Sequence, residues 1–375
     1  MTTAQRLPAS LTPLDAALAA VLRDVAPVTP IELALTEALH CIAAEMPPLR
    51  AHPPHDVAVS DGWAMRANDL VGASSYAPLP LAAPPVWVEA GAAMPADTDC
   101  VVDADAVDAS GPIVQVLADA IPGQGVRRVG GDIAEGRAVM EAGRPVLPRD
   151  LLLARGAGLE MLRVRRPRLR LVNIPGGEAT VGAEVTAMFI ADAARMAGAD
   201  VICGEAPARD AAAITAALDA SADLLVTIGG SGVGRNDAAV AALSARGEVI
   251  AHGIALRPGR TMAVGRIHTT PVVALPGLPD HAFAAWWALV LPVLDRLSGR
   301  GPRRTQALPL ARKVASGVGI AEVALLRSEH GSWSTLAIGD LSLDAIARAE
   351  AVLIVPGGAE GFAAGTVVDA YMLRE

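Results

Sequence analysis

Between residues 169 and 300 the sequence switches repeatedly between two rhythms, and this alternation constrains the fold more than any other feature of the chain. Apolar strand-like runs (LRLVN, DVICGE, LLVTI, PVVAL) are followed by segments with apolar residues at helical spacing (VTAMFIADAARMAGA, ARDAAAITAALDASA, NDAAVAALSARG, HAFAAWWALVLPVLDRLSG). Further strands are expected around EVIAHGIAL and TMAVGRI. Such a succession predicts an α/β domain with a mostly parallel sheet and helices on both faces. Three of the strands run into glycine turns: NIPGGE (173–178), TIGGSGVGRND (227–237) and ALPGLPD (274–280). Ligands of open parallel sheets sit at the carboxyl ends of the strands, so these turns are expected to converge on one crevice.

The rest of the chain reads differently. Residues 14–46 have the apolar spacing of two helices, LDAALAAVLRDV and IELALTEALHCIAA, the second opened by Pro30. From about 47 to 147 short β-like runs alternate with Gly and Pro, residues 148–163 turn helical again, and 301–375 return to short strands with one helical stretch, LSLDAIARA. The basic clusters at 161–170 and 299–306 read as solvated linkers. A net charge of −9 argues against non-specific nucleic-acid binding but leaves room for an anion held by backbone N–H groups. No apolar run of membrane-spanning length and no signal-peptide pattern is visible. Three scattered cysteines form neither a disulfide framework nor a zinc site. A cytoplasmic, membrane-free protein is therefore the expectation.

Glycine turns let backbone N–H groups face an anion, and the positive end of a following helix adds to this. Neither common phosphate fingerprint fits. There is no G-x-x-x-x-G-K-[ST], and Gly229, Gly230, Gly232 and Gly234 form no G-x-G-x-x-G after a first strand. A tight strand-to-helix turn and a phosphate cradle are equal readings on glycines alone. The carboxylates Glu178, Asp210 and Asp237 shift the balance, because Mg2+ takes oxygen ligands and bridges to phosphate. Asp210 and Asp237 also fit as helix N-caps. Ser231 lacks the G-x-S-x-G frame of a hydrolase nucleophile. His281 and Asp280 stand at the mouth of the third turn, His52, His55 and Asp56 form a weak metal candidate, and Trp286 and Trp287 read as core.

Six blocks in order carry a family resemblance: DVAVSDGWAMRANDL (56–70), GQGVRRVGGDIAEGRAVMEAG (123–143), PGGE, TIGGSGVGRND, LRPGRTMAVG and LPGLPDHAF. Together they resemble the molybdopterin molybdenumtransferase family, which includes MoeA and the E domain of gephyrin. The resemblance implies a multi-domain α/β protein with four parts. These are a helical linking domain (1–50 with 136–168), an inserted β-rich domain (51–135), a molybdopterin-binding α/β domain with a parallel sheet (169–300) and a C-terminal β-rich domain (301–375). It implies insertion of molybdate into adenylylated molybdopterin with release of AMP and with Mg2+ present. It also implies a homodimer whose site joins the α/β domain of one chain to the inserted domain of the other. Other molybdenum cofactor biosynthesis proteins or a molybdoenzyme are implied as partners.

Carried over by position, Asp61, Asp132, Glu178 and Asp237 are the catalytic candidates, and Glu178, Asp210 and Asp237 the metal candidates. Gly229, Gly230, Ser231, Gly232, Gly234, Arg257, Pro258, Gly259, Arg260, Pro276, Gly277, Arg127 and Arg128 are the ligand-binding candidates. Paired arginines suit a bidentate anion clamp or a structural salt bridge. The chain departs from the family pattern at Ala90, Pro175, Gly177, Gly232 and Leu278, where hydroxyl, carboxyl or amide groups are lost, and a Lys near Gly253 is absent. Arg257 and Arg260 replace Lys, keeping the charge but changing its geometry. These departures motivate an alternative expectation, a divergent paralogue that binds a molybdopterin-type ligand as carrier, chaperone or scaffold.

Overall fold

The structure is a computed structural model and describes residues 5–176, 182–218 and 221–373. Contacts divide the chain into two compact units, Met1–Ala44 with Ala142–Leu147 and Leu162–Glu375, and Glu45–Glu141 with Pro148–Met161.

The alternating region of the first unit folds as β1 (Arg168–Asn173), α1 (Gly182–Met196), β2 (Asp200–Glu205), α2 (Ala211–Ala217), β3 (Leu224–Ile228), α3 (Ala239–Arg246), β4 (Glu248–His252), β5 (Ala263–Ile267) and β6 (Thr270–Leu275). The sheet order is β2-β1-β3-β6-β5-β4. β1 is parallel to β2 and β3, and β3 to β6, while β5 runs antiparallel to β6 and β4. Strand side chains alternate between faces, and both faces are apolar. Leu169, Leu171, Val226, Ile228 and Leu275 join Ile190 and Ala194 of α1 in one cluster. Val172, Ile174, Leu225 and Val272 join Ile214 of α2 and Ala242 and Leu243 of α3 in another. Burial on both faces explains why the central strands β3 and β6 read as nearly continuous apolar runs. Each of the fully buried Leu, Ile and Val side chains among these contributes roughly 1.5–3 kcal/mol.

The final helical stretch runs through α4 (Pro279–Ala285), a π turn (Trp286–Val290) and α5 (Leu291–Ser298). The N–H of Leu291 bonds the carbonyl of Trp286, an i to i−5 step of the kind seen at π-bulges. Pro292, which has no N–H to give, follows it. Gly299, at φ +64°, ends the helix. Trp286 is buried as expected; Trp287 is only partly so.

Three expectations are corrected. The segment 31–44 is not a helix: Ile31–Ala34 and Ile42–Ala43 are strands flanking Met161–Arg165 in a small sheet. His40 takes φ +66°, which a helix does not tolerate. A strand partner at 161–165 outweighs an ambiguous apolar period. For the same reason residues 161–170 are not a linker, since Leu162 and Val164 are buried while Met161 and Arg163 face solvent. Finally, Ile254–Arg257 leaves the α/β sheet. Gly253, at φ +84°, turns the chain, and the strand pairs with Thr12–Pro13 and Ala321–Glu329 in a seven-stranded sheet otherwise built from C-terminal strands.

The second unit is β-rich. Gly62–Met65 lies between Val86–Val88 and Cys100–Val102, with Trp63 opposite Trp87 in an edge-on ring pair at 5.1 Å. A Cβ on Gly62 would meet the carbonyl oxygen of Val102 at 2.3 Å, so glycine there is required by the close approach of a neighbouring strand.

Candidate functional site

The carboxyl ends of β1, β3 and β6 are level, because Asn173 pairs with Ile228 and Ile228 with Leu275. One further bond locks each junction: Ile174 N–H to Ile228 O at 2.9 Å and Gly229 N–H to Leu275 O at 3.0 Å. The connection after β1 leads to β2 on one side and the connection after β3 leads away on the other, so a topological switch point lies between β1 and β3. There the three turns enclose a cavity of about 300 Å3, lined by Ile174, Gly176, Arg209, Gly229–Gly232, Asp237, Thr261, Pro276–Leu278 and His281. The expected convergence holds.

The second loop builds the cavity's polar wall. Gly229 and Gly230 have φ of +88° and +66°, a region open to glycine. The Asp237 carboxylate folds back into the loop. Its Oδ2 accepts from Gly234 N–H at 2.9 Å and its Oδ1 from Arg209 Nη2 at 3.0 Å. Arg209 also donates to Pro175 O at 3.1 Å, which stitches the first loop to the second. A Cβ on Gly232 would lie 2.5 Å from Asp237 Oδ2. The loss of the family's Ser at 232 and the inward seat of Asp237 are thus one feature. Among the described residues the backbone N–H groups of Gly230, Ser231, Gly232 and Val233 have no hydrogen-bond partner. Ser231 is fully buried, lines the cavity and leaves its Oγ unpartnered. Its carbonyl lies 3.0 Å from His252 Nε2, which must carry the hydrogen because a carbonyl only accepts. The positive end of α3, expected to face the ligand, is already engaged: Val240 and Ala241 N–H bond the Gln5 side chain at 2.8 and 3.2 Å.

The third loop is held from α1, where buried Thr186 donates from Oγ1 to Gly277 O at 2.8 Å. His281 lines the cavity with Asp280 3.8 Å away, and Leu278 is half-exposed at its edge. In the Arg257–Arg260 turn, Gly259 takes φ +113°, with Met262 Cε and His281 O at 3.1 and 3.2 Å from where a Cβ would stand. Pro258 is buried beside it. Arg257 pairs with the buried carboxylate of Glu322 at 3.3 Å. Arg260 is exposed, and its guanidinium has no partner among the described residues.

The other candidate acids separate. Asp210 caps α2, accepting from Ala213 N–H at 2.9 Å, so its carboxylate has the N-cap role. Glu178 lies outside the described residues. Asp61, Asp132, Arg127 and Arg128 belong to the second unit. There Asp61 accepts from Ala90 N–H at 2.8 Å, Arg127 pairs with Asp132 at 2.8 Å and Arg128 with Asp56 at 2.7 Å. The Val129 N–H and then the Arg128 guanidinium hold the Asp56 carboxyl below the usual range. Among the described residues no group of three or more His, Cys, Asp or Glu is placed to hold a metal. No described helix is long and apolar enough to cross a membrane.

Comparison with known proteins decides the family. Residues 12–158 match the MoeA N-terminal region (domain I and II), and residues 174–296 match a probable molybdopterin binding domain. Molybdopterin molybdenumtransferase 2 of Mycobacterium tuberculosis is 30% identical over 364 residues, covering 86% of this chain and 89% of its own. This chain belongs to the MoeA family. Molybdopterin molybdenumtransferase of Haemophilus influenzae is 30% identical over 295 residues, covering 72% and 73%. The crystal structure of a MoeA protein from Pyrococcus horikoshii superposes with a TM-score of 0.70 at 25% identity, covering 98% of this chain and 100% of that one. The chain is a transferase-like enzyme of molybdenum cofactor biosynthesis, and these relatives favour that reading over a non-enzymatic paralogue.

Sequence reading missed Arg209, Thr186, His252 and Gln5. Arg209 had a signal, being the cation before a candidate acid. The others act through the fold, at separations of up to 236 residues, and left no local pattern.

Proposed function

We propose that this enzyme inserts molybdate into molybdopterin, using the adenylylated pterin and releasing AMP, and that the 229–237 loop holds a phosphate of that substrate. The observation that carries the reading is the buried, unpartnered Ser231 Oγ in the cavity lining, beside the unpartnered backbone N–H groups of Gly230 and Ser231. Buried polar groups of this kind are normally satisfied, and a tetrahedral oxyanion supplies the acceptors they need. Arg209, at the same wall, contributes charge from a planar fork. Arg260 adds a free cation on the turn next to Thr261, which lines the cavity.

Mg2+ typically takes one or two carboxylates together with substrate phosphates. Asp237 is the carboxylate of the described cavity lining, so the donor set suits an ion shared with substrate rather than a cage of protein ligands. When bound, Mg2+ would neutralise phosphoanhydride charge. The chain's own part is to orient: Arg209 releases or shares Asp237 as the substrate anion arrives, while the glycine loop's N–H groups fix the phosphate. Asp61 and Asp132 are retained as catalytic candidates, and Arg127 and Arg128 as binding candidates, from the second unit.

The test is insertion by the purified protein, supplied with adenylylated molybdopterin, molybdate and Mg2+ and read by activation of a cofactor-free molybdoenzyme. Activation that depends on this protein, with AMP released in step, is the expected result. Pterin binding without either product would overturn the reading. Sedimentation of the purified chain tests the homodimer.

A further inference from the structure

Three consecutive carbonyls of the glycine loop accept from side chains elsewhere in the chain, and that of Gly230 accepts also from Ala239 N–H at 3.0 Å. Gln5 Nε2 donates to Gly230 O at 3.0 Å and to Gly232 O at 2.8 Å, and His252 Nε2 donates to Ser231 O at 3.0 Å. The other end of the same Gln5 amide accepts from Val240 and Ala241 N–H at the start of α3. The residue preceding that helix is Ala238, which has no capping side chain. One side chain therefore uses both its donor and its acceptor on the loop and the helix that follows it.

The peptide unit is planar and trans, so a carbonyl and the N–H of the next residue point in opposite directions. Fixing the carbonyls of Gly230 and Gly232 toward Gln5 turns the N–H groups of Ser231 and Val233 away from it. His252 does the same for the N–H of Gly232 through the carbonyl of Ser231. These are three of the four loop N–H groups left without partners among the described residues. We infer that Gln5 is a positioning residue that, with His252, presets the glycine loop in its ligand-holding shape. Its backbone is anchored alongside. Leu7, Pro8 and Leu11 close over Gly253, where each has an atom 3.0–3.1 Å from the position a Cβ would take, and Thr12 N–H bonds Gly253 O at 2.9 Å. The N-terminal segment thus buttresses both the loop and the bend that carries His252.

The inference rests on reading the loop as the substrate cradle, and two substitutions separate its parts. Gln5→Glu keeps the acceptor for Val240 and Ala241 but places a carboxylate against two carbonyl oxygens, whereas Gln5→Ala removes both functions. Amide hydrogen exchange of the full-length protein is read at Gly234, Val240 and Ala241, together with molybdopterin affinity by pterin fluorescence. In Gln5→Glu, Val240 and Ala241 should keep their protection while Gly234 exchanges faster and affinity falls about tenfold, the effect of losing two ordinary hydrogen bonds. In Gln5→Ala all three amides should exchange faster and affinity should fall at least as far. Unchanged affinity and unchanged Gly234 exchange in Gln5→Glu would reduce Gln5 to a helix cap and overturn the inference. So would unchanged Val240 and Ala241 exchange in Gln5→Ala. If the unsubstituted protein binds no molybdopterin, the functional reading fails, and the exchange pattern alone still decides for or against Gln5.

Discussion

The 229–237 loop and the arginine cluster of the inserted β-rich unit both place arginines beside aspartates, but they leave different groups free. In the loop, Asp237 is 15% exposed and both its oxygens are engaged, while the neighbouring backbone N–H groups are idle. In the cluster, Arg127 and Arg128 are about half exposed and paired with Asp132 and Asp56 at the surface. The first arrangement sacrifices backbone hydrogen bonding to keep a polar cavity open, which folding alone would not favour. The second needs no ligand to be satisfied. A sequence motif of acid and arginine therefore does not by itself locate a binding site; what matters is which groups the fold leaves unpaired.

The largest break in this comparison is expected from Asp237→Ala. It should lower molybdate insertion by at least about a hundredfold, because it removes the cavity's carboxylate and leaves Arg209 without its partner. An insertion rate within a few-fold of the unsubstituted enzyme would remove Asp237 from the site. Gly232→Ser comes next. Restoring the hydroxyl brings a Cβ into the seat of Asp237 Oδ2, so Asp237 must move, and pterin affinity should change by about tenfold or more as the loop re-forms. A crystal structure of the variant with Asp237 unmoved would refute the link between the two positions.

Thr186→Val isolates the third loop. Leaving Gly277 O without its buried donor should cost about 1–3 kcal/mol, read as a lower urea midpoint with little change in slope.

The smallest effect belongs to the surface cluster. A double-mutant cycle on Arg128 and Asp56 should give a coupling of about 0.2–1 kcal/mol that shrinks with added salt. The same cycle on Arg209 and Asp237 should give a larger and less salt-sensitive value. Because Asp56 titrates lower when folded than unfolded, its contribution is full above the ordinary carboxylate range. It is lost as pH falls through the folded value. Acid titration of the Asp56→Asn variant should lack that component, and equal acid sensitivity of the two proteins would remove the assignment.

Much of the fold was legible in the sequence, because buried parallel strands and amphipathic helices print periods of their own. The α/β succession from Arg168 to Ser298 follows the pattern closely. The segment 31–44 did not read correctly, since its apolar spacing suits either period and a distant strand at 161–165 made the choice. The candidate site was legible as far as its loops. Gly229, Gly230, Gly232, Asp237, Pro276 and Gly277 come together as their place after strands suggests. The fate of their side chains was not legible. Asp210 and Asp237 look alike on paper, yet one caps a helix and the other folds into the loop against Arg209.

By itself the sequence determined the family, the strand-end glycine turns and the convergence of three loops at a switch point, all of which depend on local period and chain order. Only the tertiary structure decided that Gln5 and His252 hold the loop's carbonyls, that Gly232 makes room for Asp237, and that Ile254–Arg257 joins another sheet. Those outcomes rest on hydrogen bonds and close contacts between residues far apart in the chain, for which a linear sequence carries no spacing rule.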